Sequence, residues 1–332
     1  MQYFELGDFE LQSGAVLKSA RLAYATRGTW QPAHPNAVLF PTYYTGTHQD
    51  NLKLVQPGRA LDPARWFVVI PNLFGNGVSS SPSNHAPQPG ADFPNITILD
   101  NVRAQQRLLT ECLGITQVEL AFGWSMGAQQ AYHHAALFPE RVKSLLAVCG
   151  SARTSPHNWV FLEGVKAALL ADSAFAGGRY TESPERGLAA FGRVYAGWAY
   201  SQAFFRERAY EALGYASSEA VLDAWARDHQ SLDANDLLSM LWSWQHADIS
   251  DNRTFAGNFR RALAAISARS IIMPASTDLY FHPDDSRLEV AGLPHAELRL
   301  LETSWGHVAG GPDRNPQASA LIDAAIRELL GG

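Results

Sequence analysis

Cysteine is nearly absent: the 332-residue chain has two, Cys112 and Cys149. Two thiols make neither a disulfide framework nor a paired-cysteine metal site, so both are expected to be buried and unbridged. Charge is sparse, at 17% of residues, and no basic block interrupts a net charge of −6. That excludes the clustered Lys and Arg of a nucleic-acid binder. No apolar run approaches the ~20 residues of a membrane span. The opening MQYFELGDFE has neither the basic start nor the apolar stretch of a signal peptide. A cytoplasmic enzyme acting on a small molecule, away from membranes, is the expectation. No His-Glu-x-x-His is present either, so no metal and no bound cofactor are expected. The segment FGNG starts like a dinucleotide loop but lacks the third glycine, and reads as an active-site turn.

What is present is a 46% apolar composition, enough for a substantial core. The segments FELGDFELQSG and VLKSARLAYATRG alternate and carry turn glycines, the pattern of an antiparallel hairpin. NAVLFPTYY and WFVVIPNLF are short continuous apolar runs, as in strands buried on both faces. Between them NLKLVQPGRALDP reads as a broken helix. ILDNVRAQQRLLTECLGI reads as a helix, with Asp100 or Asn101 as cap and Gly114 as its stop. Strand VELAFGW, helix MGAQQAYHHAALFP and strand VKSLLAVCG follow.

Such alternation implies a mostly parallel, doubly wound α/β sheet. It stops after Ala152. Residues 153–265 carry helical periodicity and almost no strand signal, including ERGLAAFGRVYAGWAYSQAFFRERAYEAL as one candidate stretch. The alternation resumes with RSIIMPAS, PDDSRLEVAGL and AELRLLETS. It ends in PQASALIDAAIRELL, with Asn315 as N-cap and Pro316 at the first helical position. The expected organisation is a core of 1–152 and 266–332, interrupted by a helical lid over 153–265.

The chemistry is expected at Gly123-Trp124-Ser125-Met126-Gly127, between a strand and a helix. A serine hydroxyl exposed on a sharp strand-to-helix turn stands above the sheet, at the N–H end of the helix. Glycines two residues to either side fit where a Cβ would collide, so Gly123 and Gly127 are read as the nucleophile elbow. A serine needs a base, and the base needs an orienting acid, in the order Ser, Asp, His. Of eleven histidines, His307 in LETSWGHVAGG directly follows the last strand and is the expected base. His133 and His134 lie on the helix after Ser125 and read as packing or surface residues. His157, His229 and His246 fall in the insertion. Asp278 follows SIIMPAST at a strand end and is preferred as the acid over Asp284, Asp285 and Glu302. Backbone N–H groups of Met126 and Tyr44 are the expected oxyanion donors, with Tyr43 an open alternative to Tyr44. Tyr43, Trp124, Trp159 and Arg193 are candidate substrate-pocket residues. Trp198, Trp242 and Trp244 could line the pocket or fill the lid core.

With LFPTYYTGTHQDN, PNLFGNGVSSSPSN, GWSMGAQQA, STDLYFHP and SWGHVAGG in this order, the chain resembles the α/β-hydrolase superfamily. The resemblance is closer to the homoserine O-acetyltransferase-like branch. It implies Ser125, Asp278 and His307 as the triad, Tyr44 and Met126 at the oxyanion hole, and a homodimer formed through the lid. The sequence departs from that branch where substrate charge is held. Val308 stands where an acid usually follows the histidine. Gly192 stands at the place of a lid arginine, with Arg193 one residue later and rotated by roughly 100° on a helix. A buried amino-acid substrate needs paired charges. The expected reaction is therefore hydrolysis of small or medium, acetate-type esters through an acyl-serine. The alternative is an O-acyltransferase, which alone would use acetyl-CoA, as co-substrate.

Overall fold

The computed structural model describes residues 1–331. Eight strands form one sheet, in the order β1-β2-β4-β3-β5-β6-β7-β8. The expected hairpin is β1 (Gln2–Glu10) and β2 (Val16–Arg27), paired antiparallel. β2 runs antiparallel to β4 (Phe67–Pro71). From β4 onward every pairing is parallel, through β3 (Ala37–Leu39), β5 (Leu120–Trp124), β6 (Ser144–Val148), β7 (Arg269–Met273) and β8 (Ala296–Leu298).

The continuous apolar runs are explained by burial on both faces. Side chains alternate across a strand. Val68 and Ile70 of β4, Leu120 and Phe122 of β5, and Leu146 and Val148 of β6 enter one core. Their neighbours Val69, Ala121, Leu145 and Ala147 enter the other. The helices that cover these faces include α2 (Ile98–Arg107), α3 (Met126–Leu137) and α11 (Pro316–Leu329). The cap of α2 is Thr97, not Asp100 or Asn101. The Thr97 hydroxyl accepts from the Asp100 amide at 3.1 Å, and Asp100 Oδ2 accepts from the Thr97 amide at 3.0 Å. This is a reciprocal capping box, with Asp100 at its third helical position. The two cysteines are unbridged, but only Cys149 is buried; Cys112 lies at the surface, its Sγ 3.5 Å from the Tyr24 hydroxyl.

A helical insertion separates β6 from β7. It comprises α4 (Pro156–Leu170), α5 (Glu185–Ala199), α6 (Gln202–Arg206), α7 (Ser218–Gln230), α8 (Ala234–Gln245) and α9 (Phe259–Ala264). The stretch over 185–213 is not one helix. Tyr200 turns extended (ψ 151°), Ser201 caps α6, and Arg208 turns left-handed (φ 55°). The insertion narrows to a neck: the Thr154 amide donates to Ala247 O at 2.9 Å, and Ile249 N to Ala152 O at 3.1 Å. Beyond the neck, Ile249, Phe255, Ala262, Leu263 and Ile266 share the core cluster of Leu145 and Ala147. Among the described residues no helix is long and apolar enough to cross a membrane.

The chain order reverses at β3, which has β4 on one side and β5 on the other. At such a switch point the loops after adjacent strands diverge and leave a crevice at their carboxyl ends. The loop after β3 and the turn after β5 face each other there. The insertion emerges from the same end of β6.

Candidate active site

Ser125 joins β5 to α3 with φ 58° and ψ −128°. An L-residue holds a positive φ at a cost of about 1–3 kcal/mol, so the surroundings must enforce it. Part of the enforcement is the Ser125 amide, which donates to Val148 O at 3.0 Å. The turn is tight enough to require both glycines. A Cβ on Gly123 would stand 2.1 Å from the Gly127 carbonyl carbon, and one on Gly127 would stand 2.8 Å from Pro41 O. Gly127 thus lets the loop after β3 press against the first turn of α3.

His307 and Asp278 come from the loops after β8 and β7. His307 Nδ1 lies 2.7 Å from Asp278 Oδ2, with both side chains buried. Asp278 Oδ1 accepts from the amides of Tyr280 at 3.1 Å and Phe281 at 3.0 Å. Those backbone donors fix the carboxylate, so its other oxygen is aimed at the imidazole. The His307 loop is tied to the acid loop, where Thr277 Oγ1 donates to Thr303 O at 2.8 Å and accepts from Gly306 N at 3.1 Å. It is also tied to the insertion, where the Ser201 hydroxyl donates to Ser304 O at 2.5 Å. The His307 ring stacks on Trp124 and packs against Tyr280, with centroids at 4.9 and 4.5 Å.

Ser125 and His307 line one cavity of about 260 Å3. The Ser125 hydroxyl makes no hydrogen bond to a described residue; such bonds are commonly long before substrate arrives. The N–H groups of Met126, Tyr43 and Tyr44 likewise donate to no described residue. Free donors converging from a helix N-terminus and a facing loop are what a developing oxyanion requires. Cys149 offers a ligand atom within 4.8 Å of those of Asp278 and His307. Burial, reinforced by the Asp278 charge, pushes its thiol well up, which disfavours the thiolate a metal or nucleophilic role would need.

Of the expected pocket residues, Tyr43 and Trp124 line the cavity. Trp159 and Arg193 are not among its lining residues. Trp159 is 44% exposed on the outer side of α4, and the Arg193 guanidinium is held by Glu219 and Asp223 of α7. Trp244 is fully buried against Phe281 and Tyr280, and Trp198 packs on Phe161, so both fill the lid instead. Trp242 stacks on His246. The rest of the cavity wall includes Tyr195, Tyr200, Tyr215, Trp225, His229 and Tyr280, together with the charged side chains of Asp228 and Arg314. Tyr280 could have been found as the second residue after the acid; the lid residues lie on helices and connecting turns whose faces no local motif assigns. Burial raises the phenols of Tyr43, Tyr44, Tyr195 and Tyr280 and lowers the His229 imidazole. These aromatic groups and His229 are therefore neutral near pH 7, while Asp228 and Arg314 also line the cavity. The cavity lies just below the ~300 Å3 at which drug-sized sites begin.

The family model for the alpha/beta hydrolase fold matches residues 57–310. The chain is similar to the ethyl acetate hydrolase of Pseudomonas veronii, with 36% identity over 99% of this chain and 95% of that one. It is also similar to the solved structure of an acetylester hydrolase from Corynebacterium glutamicum, at TM-score 0.95 and 36% identity over 100% of this chain and 96% of that one. A homoserine O-acetyltransferase of Trichormus variabilis is 29% identical over 93% of this chain and 89% of that one.

Proposed function

The chain belongs to the alpha/beta hydrolase fold family and is an acyl-ester hydrolase of that fold; within it we propose that Ser125, His307 and Asp278 act as nucleophile, base and orienting acid on small or medium, acetate-type esters. The observation that carries this reading is the buried 2.7 Å contact of His307 with Asp278, beside the same cavity that holds the strained Ser125.

In the proposed cycle, His307 Nε2 takes the Ser125 proton as Oγ attacks the ester carbonyl. The resulting oxyanion is held by the N–H of Met126 and by that of Tyr44, or of its neighbour Tyr43. The tetrahedral species collapses to acyl-Ser125, and His307 returns its proton to the departing alcohol. Water then repeats the sequence and releases the carboxylic acid. Asp278 keeps the imidazole proton on Nδ1, so Nε2 is free to accept.

The acetate preference is supported by the names of the ethyl acetate hydrolase and the acetylester hydrolase, and by the small, aromatic-rich cavity. Membership of the homoserine O-acetyltransferase-like branch is supported by the Trichormus relative. O-acyl transfer from acetyl-CoA to an alcohol acceptor, not specifically homoserine, is the second reading. Val308 in place of an acid, and an Arg193 already paired with two carboxylates, weigh against homoserine as the acceptor. We place the lid at 153–265, with α4 to α8 as the part standing above the neck. A homodimer through this lid is supported by the exposed apolar side chains of Trp159, Val160 and Val194 on α4 and α5. Two unbridged cysteines suit a reducing, cytoplasmic setting.

The test is labelling with a p-nitrophenyl alkylphosphonate. The reading expects loss of esterase activity together with one phosphonyl group on Ser125, found by peptide mass mapping, and no label in Ser125→Ala. Labelling elsewhere, with activity lost in step, would reject it.

A further inference from the structure

We propose that Gln130, one turn into α3, is a positioning residue that sets the spacing of the two oxyanion segments. This rests on the acyl-serine reading above. Its Nε2 donates to Thr42 O at 2.8 Å and to Met126 O at 3.0 Å. One amide group therefore bridges the loop after β3 to the first residue of the elbow helix. The side chain is fully buried, and its other end is also held. Gln130 Oε1 accepts from Gln105 Nε2 of α2 at 2.6 Å, and Gln105 Oε1 accepts from His134 Nε2 at 3.0 Å. Burial lowers the His134 imidazole to about 3, so this rail stays neutral across the working range.

A trans peptide is planar, with its C=O and the following N–H pointing in opposite directions. Holding Thr42 O therefore aims the Tyr43 N–H. The Tyr43 O is held in turn by Gly46 N at 3.0 Å, which aims the Tyr44 N–H. On the far side of the loop, Asn51 Nδ2 donates to Phe40 O at 3.0 Å and to Pro41 O at 3.2 Å. The carbonyls of residues 40 to 43 are thus each fixed, and only the one at Thr42 is fixed to the helix that carries the nucleophile. Gly127 permits the close approach of loop and helix, and Gln130 sets its distance. Oxyanion donors act by being in place before charge develops, so a loop free to shift by a fraction of an ångström weakens the transition state while leaving substrate binding alone.

The test compares wild type with Gln130→Met, which keeps length and burial but removes both donations. The readouts are kcat and KM for p-nitrophenyl acetate, melting temperature, and inhibition by an alkyl trifluoromethyl ketone, whose serine hemiketal carries the oxyanion. The proposal expects a fall in kcat of about 10- to 100-fold, below the ~10²–10³ that follows loss of a donor itself. KM should stay within about twofold, and ketone affinity should fall by the same factor as kcat. A folded variant with wild-type kcat and ketone affinity overturns it. So does a variant in which KM and kcat change without the ketone. Gln105→Met, which releases only the Oε1 end, should show the same pattern at smaller size, and decides the matter where Gln130→Met does not fold. Failure of the acyl-serine reading would look different: the ketone would then not inhibit wild type at all.

Discussion

Replacing Asp278 by Asn should remove nearly all activity while leaving the fold intact, and the local geometry says why. Asp278 Oδ1 accepts two backbone amides, those of Tyr280 and Phe281. In the variant the amide oxygen must take that place, because an NH2 group there would face two N–H donors. The NH2 group is then turned toward His307 Nδ1, now 2.7 Å from a donor rather than an acceptor. The imidazole answers by moving its proton to Nε2, the atom that must receive the Ser125 proton. The carboxylate's attraction for the imidazolium formed in the reaction is lost as well. At an effective dielectric of about 20 and a charge separation of ~4 Å, that attraction is about 4 kcal/mol. At 1.36 kcal/mol per factor of ten this is roughly a 10³-fold effect, and the wrong tautomer carries the expected loss toward about 10⁴ in kcat/KM. Initial rates of p-nitrophenyl acetate hydrolysis and a thermal melt suffice. A loss of less than tenfold in a folded variant would refute the positioning role of Asp278.

Gly127→Ala brings a Cβ to 2.8 Å from Pro41 O, so the loop after β3 must retreat; kcat should fall about tenfold or more with KM little changed, as steady-state kinetics would read. Burial raises Glu289, on α10 (Pro283–Val290), to about 8, and its Oε1 accepts from the Ala152 amide at the neck of the lid at 2.8 Å. The folded chain holds a proton there that the unfolded chain releases near pH 4.5, so stability falls as pH rises from about 4.5 to 8. Glu289→Gln keeps the acceptor and lacks the titration, so urea titrations should show its advantage over wild type growing across that window, toward a few kcal/mol. Gly192→Arg should not create a homoserine enzyme: its Cβ would stand 2.4 Å from Trp225 O and 2.9 Å from His229 Nδ1, both on α7. A lower melting temperature and no homoserine-dependent release of CoA from acetyl-CoA are expected.

Much of the architecture was legible because it is written in local periodicity. Doubly buried strands such as Phe67–Pro71 and Ser144–Val148 must be apolar throughout, and the serine turn must have its glycines, whatever surrounds them. The relation of Asp278 to His307 was also readable, since both follow strands at the same end of a parallel sheet. What lay beyond the sequence depends on which faces of separate helices meet. Arg193 looked like a pocket residue until α7 supplied Glu219 and Asp223 to hold it. Trp159 faces outward, while Tyr195 and Trp225 face the cavity, and periodicity does not distinguish these among aromatic-rich lid helices. Cys112 was expected inside, yet it ends a π-helical turn that follows α2 and lies at the surface. The break at Tyr200 was hidden because its cap, Ser201, lies within an otherwise helical run.

The most direct test of the account is the release of p-nitrophenol from p-nitrophenyl acetate, followed from milliseconds to minutes in wild type and Ser125→Ala. The account predicts sustained turnover by wild type, as water resolves the acyl-serine, and loss of at least about 10³-fold in the variant. Sustained turnover by a folded Ser125→Ala would contradict the acyl-serine. A wild-type burst of one equivalent that then stalls until an alcohol is added would contradict hydrolysis in favour of transfer.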